Sequence, residues 1–338
     1  MLYFFVLIVL SLIFNETLIK KNFLLDNLHF SKHKNFITST KRIPVSAGFF
    51  LIIFIISFNK DFDLFSLFII FIIFSSGFFS DIFKNFSARL RLLIQFLSSY
   101  FFIISNEIFI IDTRINFLND LFVNYEYLSI LFTIFCITIL INGTNFIDGV
   151  NINALGYYII VYSVIFYVYK TENIIINSNF LVQLILFLLF LLMLNTFNKT
   201  QLGDGGSYLL AFFTSIYLIQ IANDNIIVSP YFIILLLWYP CFENLFSIIR
   251  KIYQNKKISD ADNLHLHQLI FLFLKKKKIL NTNNLTGTII VTYNICPFLI
   301  GISYMNSTKI LLYVILANIL FYIYLYNKLV AYLFKKNK

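Results

Sequence analysis

Long runs of apolar residues recur along the whole chain, separated by short polar stretches. Eleven such runs fall at about 1–15, 45–58, 64–79, 92–106, 128–142, 153–169, 180–195, 205–222, 226–247, 285–305 and 310–333. Each is near the ~20 residues that a helix needs to cross a ~30 Å hydrocarbon core. The pattern predicts an all-α polytopic integral membrane protein with about eleven transmembrane helices. The connections average about eleven residues once ~20 are set aside for each span, so 1–338 reads as a single transmembrane domain. Its chemistry is then expected at helix ends and in loops. The first run has no charged segment before it and no small-residue cleavage site after it, and is expected to stay as a span.

Composition strengthens this reading. Of 338 residues, 59% are hydrophobic and 12% charged, against about 25% charged in soluble domains, which excludes an ordinary cytosolic enzyme. Cys136, Cys241 and Cys296 lie within apolar runs at no CxxC spacing, so neither a disulfide framework nor a thiolate metal site is indicated. Sorted by alternate connections, 22 Lys and Arg residues fall on one side and four (Lys60, Arg114, Lys170, Lys309) on the other. The positive-inside rule then predicts an outside N-terminus and a cytoplasmic C-terminus. On this view the net charge of +10 belongs to one membrane face and is no nucleic-acid footprint. It favours the anionic lipid bilayer surface and anionic substrates.

Eight acidic residues are scattered on the outer side, but the inner ones are patterned. Asp81, Asp148 and Asp204 each end or open a different run, and three such carboxylates at one surface suit a hard divalent cation shared with substrate phosphates. Asp204 lies in Gln201-Leu-Gly-Asp-Gly-Gly-Ser-Tyr208, where Gly203 and Gly205 let backbone N–H groups approach an oxyanion at a helix start. A plain helix cap would look similar. In Asn142-Gly-Thr-Asn145-Phe-Ile-Asp148-Gly149-Val-Asn151 the polar residues recur every three, placing Asn142, Asn145 and Asp148 along one side of a helical end. Amide capping of a helix C-terminus is the alternative. A third segment, Asp260-Ala-Asp262-Asn-Leu-His265-Leu-His267-Gln268, has its His pair at i, i+2, unlike the i, i+4 spacing of an HExxH zinc helix. Its imidazoles suit a diphosphate. His29 and His33 have no patterned carboxylate and read as surface residues.

Together these segments resemble the polyprenyl-phosphate N-acetylhexosamine-1-phosphate transferase family, related to phospho-N-acetylmuramoyl-pentapeptide transferase. The resemblance runs in order through Pro44-Val-Ser-Ala-Gly48, Gly77-Phe-Phe-Ser-Asp81 with Arg91 and Gln95, Asn142-x-x-Asn145-x-x-Asp148-Gly149, Gly203-Asp204-Gly-Gly-Ser207, Pro240-x-x-Glu243 with Arg250, and His265-Leu-His267. It implies transfer of a sugar-1-phosphate from a UDP-N-acetylhexosamine to undecaprenyl phosphate with release of UMP. It also implies a magnesium cofactor, with manganese as an alternative, in the bacterial inner membrane with the site on the cytoplasmic face. Asp204 is implied as the metal ligand, with Asp81 beside the metal and the acceptor phosphate. Asp148 and Asn145, with Asn142 and Asn151, are implied to line the catalytic and nucleotide pocket. His265, His267 and Arg250 are implied to contact the diphosphate or sugar, and Gly203 and Gly205 the substrate. The active-site loops would be about 16–44, 80–91, 143–152, 196–204 and 248–284, and a homodimer is left open.

Three departures bear on this. Ser80 replaces the first carboxylate of the family's acidic pair, although a phosphate monoester is mostly dianionic near pH 7 without a base. Asn151 stands where many members carry a second Asp. His265-Leu-His267-Gln268 lacks the three consecutive His of the peptidoglycan branch, so a simple N-acetylhexosamine donor is expected, initiating a surface polysaccharide such as O-antigen. Two rivals are a transporter, which predicts ionisable residues near the bilayer midplane, and a non-catalytic scaffold in a polysaccharide assembly complex, to which Ser80 lends weight.

Overall fold

The computed structural model describes residues 2–24, 43–59, 61–83, 86–257 and 264–334. These form thirteen α-helices: α1 (Leu2–Lys21), α2 (Ala47–Phe58), α3 (Leu64–Ile82), α4 (Ala88–Asn106), α5 (Asn116–Asn124), α6 (Glu126–Ile147), α7 (Asn153–Glu172), α8 (Ser178–Thr196), α9 (Gly203–Asp224), α10 (Pro230–Tyr253), α11 (Leu266–Lys276), α12 (Thr282–Ser303) and α13 (Thr308–Phe334). The all-helical expectation therefore holds. Ten helices are long and apolar enough to cross a membrane. The eleventh expected span is α2, whose 12 residues reach only about 18 Å at 1.5 Å per residue.

Two helices were not legible as separate elements. α5 and α11 are short, and α11 lies inside the segment 248–284 that reads as loop. α11 folds because Leu266, Leu269, Ile270 and Leu274 are buried against α12 and α13, while Lys275 and Lys276 occupy its last turn, where cations complement the helix dipole. The 143–152 loop is also shorter than expected, since α6 continues to Ile147.

α9 is buried along most of its length and packs against α2, α3 and α6. α1 and α13 present most of their surface outward, as lipid-facing helices do. α3 reaches α9 backbone to backbone. A Cβ added at Gly77 would fall 2.5 Å from the Asp204 carbonyl oxygen, so only glycine permits this approach, as at other close membrane-helix crossings. It brings Ser80 and Asp81, one turn further along α3, beside the start of α9.

α10 carries Pro240 in its interior, which removes the donor for the carbonyl four residues earlier. That carbonyl, on Leu236, accepts instead from the buried Tyr157 hydroxyl at 2.8 Å. An unpaired carbonyl in hydrocarbon costs several kcal/mol, so α7 stabilises the interrupted helix, and Glu243 follows on its next turn.

Candidate active site at the start of α9

Three carboxylates from three helices meet at the turn that opens α9. Gly203 takes φ +73, a left-handed conformation that glycine adopts without a Cβ penalty. A Cβ there would also lie 2.1 Å from Val45 Cγ1 and 2.7 Å from Asp81 Oδ2. The turn aims its backbone donors outward: Gly203 N–H donates to Asp148 Oδ2 at 3.1 Å, and Gly205 N–H donates to Asp81 Oδ2 at 3.2 Å. Asp204 sits between them in the first turn of α9, where the positive end of the helix dipole favours a carboxylate. Asp81, Asp148, Asp204, Gly203 and Gly205, which the sequence pattern picks out, thus fall in one place.

Arg91 of α4 completes the cluster. Its Nη1 donates to Asp204 Oδ2 at 3.1 Å, to Ser80 Oγ at 2.9 Å and to the Tyr208 hydroxyl at 3.1 Å. Ser80 Oγ in turn donates to Asp204 Oδ2 at 2.9 Å. The Arg91–Asp204 pair is about a quarter exposed on each side, so solvent screens it and its contribution to stability is modest. Such a cation is accessible to an incoming anion. Nothing in the sequence marks Tyr208, and neither Arg91 nor Ser80 shows its partners there. The usable signal was an Arg and a Gln four residues apart on an otherwise apolar helix.

The asparagines divide. Asn145 reaches the cluster, donating to the Tyr208 hydroxyl at 3.4 Å, whereas Asn142 donates to Gln95 Oε1 at 2.9 Å and to the Thr138 carbonyl. Asn151 is buried and engaged with other asparagines. Its amide donates to Asn198 Oδ1 at 2.8 Å and Asn284 Oδ1 at 2.9 Å, and its backbone N–H to Asn283 Oδ1 at 2.7 Å. This lattice ties the loop after Asp148 to α8 and α12. It holds Ile152 at φ 72, an unfavourable conformation for a β-branched residue, with the Ile152 N–H bonded to Asn195 Oδ1 at 2.8 Å.

The His pair arrives from the start of α11. His265 is the N-cap, in extended conformation, with its N–H held by Gln268 Oε1 at 3.0 Å. Because only His267 is helical, the two rings lie nearly parallel, 5.8 Å apart, although i, i+2 residues within a helix diverge. His265 packs on Phe146 at 4.7 Å, and an added Cβ on Gly149 would fall 2.2 Å from His267 Nε2. The pair therefore abuts the end of α6 next to Asp148. His267 is fully buried, and its two ring nitrogens have no hydrogen-bond partner among the described residues. Burial first, and His265 second, push its pKa well below 6.5.

His265 Nδ1 and Glu243 Oε1 are 2.9 Å apart, and Glu243 Oε2 accepts from the Tyr322 hydroxyl at 2.8 Å. Arg250 donates to the Leu264 carbonyl, to the Tyr326 hydroxyl at 2.8 Å and to Ser247 Oγ. Arg250 and Glu243 thus anchor the entry to α11. Asp260, Asp262, His29 and His33 lie outside the described residues, as does most of the expected loop 16–44. No three His, Cys, Asp or Glu side chains form a ready-made metal cage among the described residues.

Residues 64–222 match the model of glycosyl transferase family 4. This stretch belongs to glycosyl transferase family 4. It is the family of phospho-N-acetylmuramoyl-pentapeptide transferase and polyprenyl-phosphate GlcNAc-1-phosphate transferases, and the match indicates a transferase of that kind. The family 4 segment contains the whole Asp81–Asp148–Asp204 turn with Ser80 and Arg91, while Glu243, Arg250 and the His pair lie beyond it. No curated protein matches the chain.

Proposed function

We propose that the protein transfers an N-acetylhexosamine-1-phosphate from a UDP-sugar to undecaprenyl phosphate and releases UMP, as the first step of a surface polysaccharide such as O-antigen. The reading places it in the bacterial inner membrane, with the start of α9 facing the cytoplasm. The observation that carries it is the convergence of Asp81, Asp148 and Asp204 on the 203–205 turn beside Arg91.

The oxygen donors at the turn fit magnesium, which is usually held by one or two carboxylates together with substrate phosphates rather than by an all-protein cage. Asp204 and Asp81 would hold it. Bound there, the cation would neutralise charge on the diphosphate and polarise the phosphorus that is attacked. Arg91 is positioned to exchange its bond to Asp204 for one to a phosphate oxygen. In-line displacement then joins an acceptor phosphate oxygen to the sugar-bearing phosphorus and breaks that phosphorus's bond to the bridging oxygen, which leaves with UMP. Such a transfer asks mainly for positioning and charge stabilisation. Asp148 is fixed by the Gly203 N–H and by the asparagine lattice behind it, so it is oriented before substrate arrives. Ser80, lying between Arg91 and Asp204, takes no proton from the acceptor, whose phosphate is already mostly dianionic near pH 7.

The test is UMP release by purified protein given undecaprenyl phosphate, magnesium and a panel of UDP-N-acetylhexosamines one at a time. Release with one donor establishes the reaction and names the sugar. Silence with all of them in a folded sample favours the scaffold reading, to which Ser80 lends support.

A further inference from the structure

A polar seam runs from the Arg91 cluster into the bundle between α4 and α6. On α4, Arg91, Gln95 and Ser99 recur every four residues and so share one face. On α6, Asn145, Asn142 and Thr138 form the facing stripe, and the Asn142 to Gln95 hydrogen bond at 2.9 Å fixes the register. Because the helices run antiparallel, Arg91 meets the level of Asn145, Gln95 that of Asn142, and Ser99 that of Thr138. From Arg91 to Ser99 the seam descends about 12 Å at 1.5 Å per residue.

Each level leaves a buried polar atom without a partner among the described residues: Arg91 Nε, Gln95 Nε2, and the Ser99 and Thr138 hydroxyls. Gln95 and Ser99 are 0% exposed. The opposite face of α4 has another character, with Leu92, Leu93, Phe96 and Leu97 exposed as a lipid-facing surface. An unsatisfied polar group in hydrocarbon costs several kcal/mol, and one seam gathers four. All four atoms can donate a hydrogen bond, and no carboxylate lies on either stripe. What they fit is a column of small oxygen acceptors, the part that buried waters play.

We propose that the α4–α6 seam is a hydrated inlet, continuous with the Arg91–Asp204 cluster, that binds water down to the level of Ser99 and Thr138. It places solvent well below the membrane surface on one side of the site. The asparagine lattice and the His pair pack the loop after Asp148 from α8, α11 and α12.

Cysteine accessibility tests this without requiring turnover. Ser99→Cys and Thr138→Cys are made separately in a chain whose Cys136, Cys241 and Cys296 are replaced by Ala. Each is treated with methanethiosulfonate ethylammonium, which reacts with the thiolate that only a hydrated thiol forms readily. Ile103→Cys and Ile137→Cys, at positions 0% exposed on the same helices, serve as apolar references. Both seam cysteines are expected to react at least about tenfold faster than the references, since apolar burial suppresses thiolate formation. Equal rates at seam and reference positions would overturn the inlet. Protection of the seam cysteines by inorganic pyrophosphate would overturn the assignment to water and give the seam to an anion. Should Ser99→Cys fail to insert, Ser98→Cys on the same side of α4 replaces it, and Thr138→Cys on the other helix carries the test independently.

Discussion

The 203–205 turn brings three carboxylates together and the Glu243 cluster encloses a single one, both near the end of α6, and they are built in opposite ways. At the turn, Asp81 and Asp148 accept from backbone N–H groups, and Asp204 shares a partly exposed Arg91. Around Glu243, both carboxylate oxygens are bonded to buried groups, the His265 ring and the Tyr322 hydroxyl. A carboxylate with solvent-facing partners can exchange them for a ligand. One enclosed in low dielectric is costly to disturb, because each group left behind is then buried without a partner. The first arrangement suits chemistry, and the second holds α10, α11 and α13 together.

Substitutions should separate the two regions. Asp204→Asn is expected to lower UMP release by about 10²–10³-fold, the scale of removing a key electrostatic group, while the thermal unfolding midpoint in detergent stays near that of the parent. Near-parental turnover would remove Asp204 from the site. Glu243→Ala should do the reverse to the fold, costing about 2–4 kcal/mol by leaving His265 and Tyr322 buried and unpaired. An unchanged unfolding midpoint would contradict the enclosed network.

His267 sharpens the contrast through pH. Its folded pKa lies well below 6.5, so the unfolded chain takes up its proton first as pH falls. Its contribution to stability is complete above about pH 6.5 and declines below it, by about 1 kcal/mol for each pH unit between the two values. The unfolding midpoint should therefore drop between pH 7 and 5.5, and His267→Gln should flatten that drop; identical pH dependence in both would contradict the assignment. The smallest effect is expected at Ser80. Ser80→Ala removes one hydrogen bond to Asp204, worth about 1 kcal/mol, and should slow UMP release several-fold. Ser80→Asp should not be needed for activity, and turnover only in that variant would favour a scaffold.

The long apolar runs made the spans legible because a bilayer imposes length and hydropathy on every crossing. α2 and α11 were harder, since one is too short to cross and the other is amphipathic within a polar connection. Asp81, Asp148 and Asp204 could be picked out by their places at run ends, and Gly203 by the close backbone approach a glycine-rich turn allows, whereas its left-handed conformation is seen only in the fold. The roles of Asn151 and Glu243 could not be read the same way. Each is set by partners far away in sequence, Asn283 and Asn284 for one and His265 and Tyr322 for the other. Ser80 was visible as a departure, but its position between Arg91 and Asp204 depends on how closely α3 crosses α9.

On the proposed function, the turn at the start of α9 is the reaction centre. Its most direct test is magnesium-dependent UMP release measured side by side for the parent protein and Asp204→Asn, with undecaprenyl phosphate and the donor that the panel identifies. Release should require magnesium in the parent and be almost lost in the folded variant. Equal release from both, or release indifferent to magnesium, would contradict it.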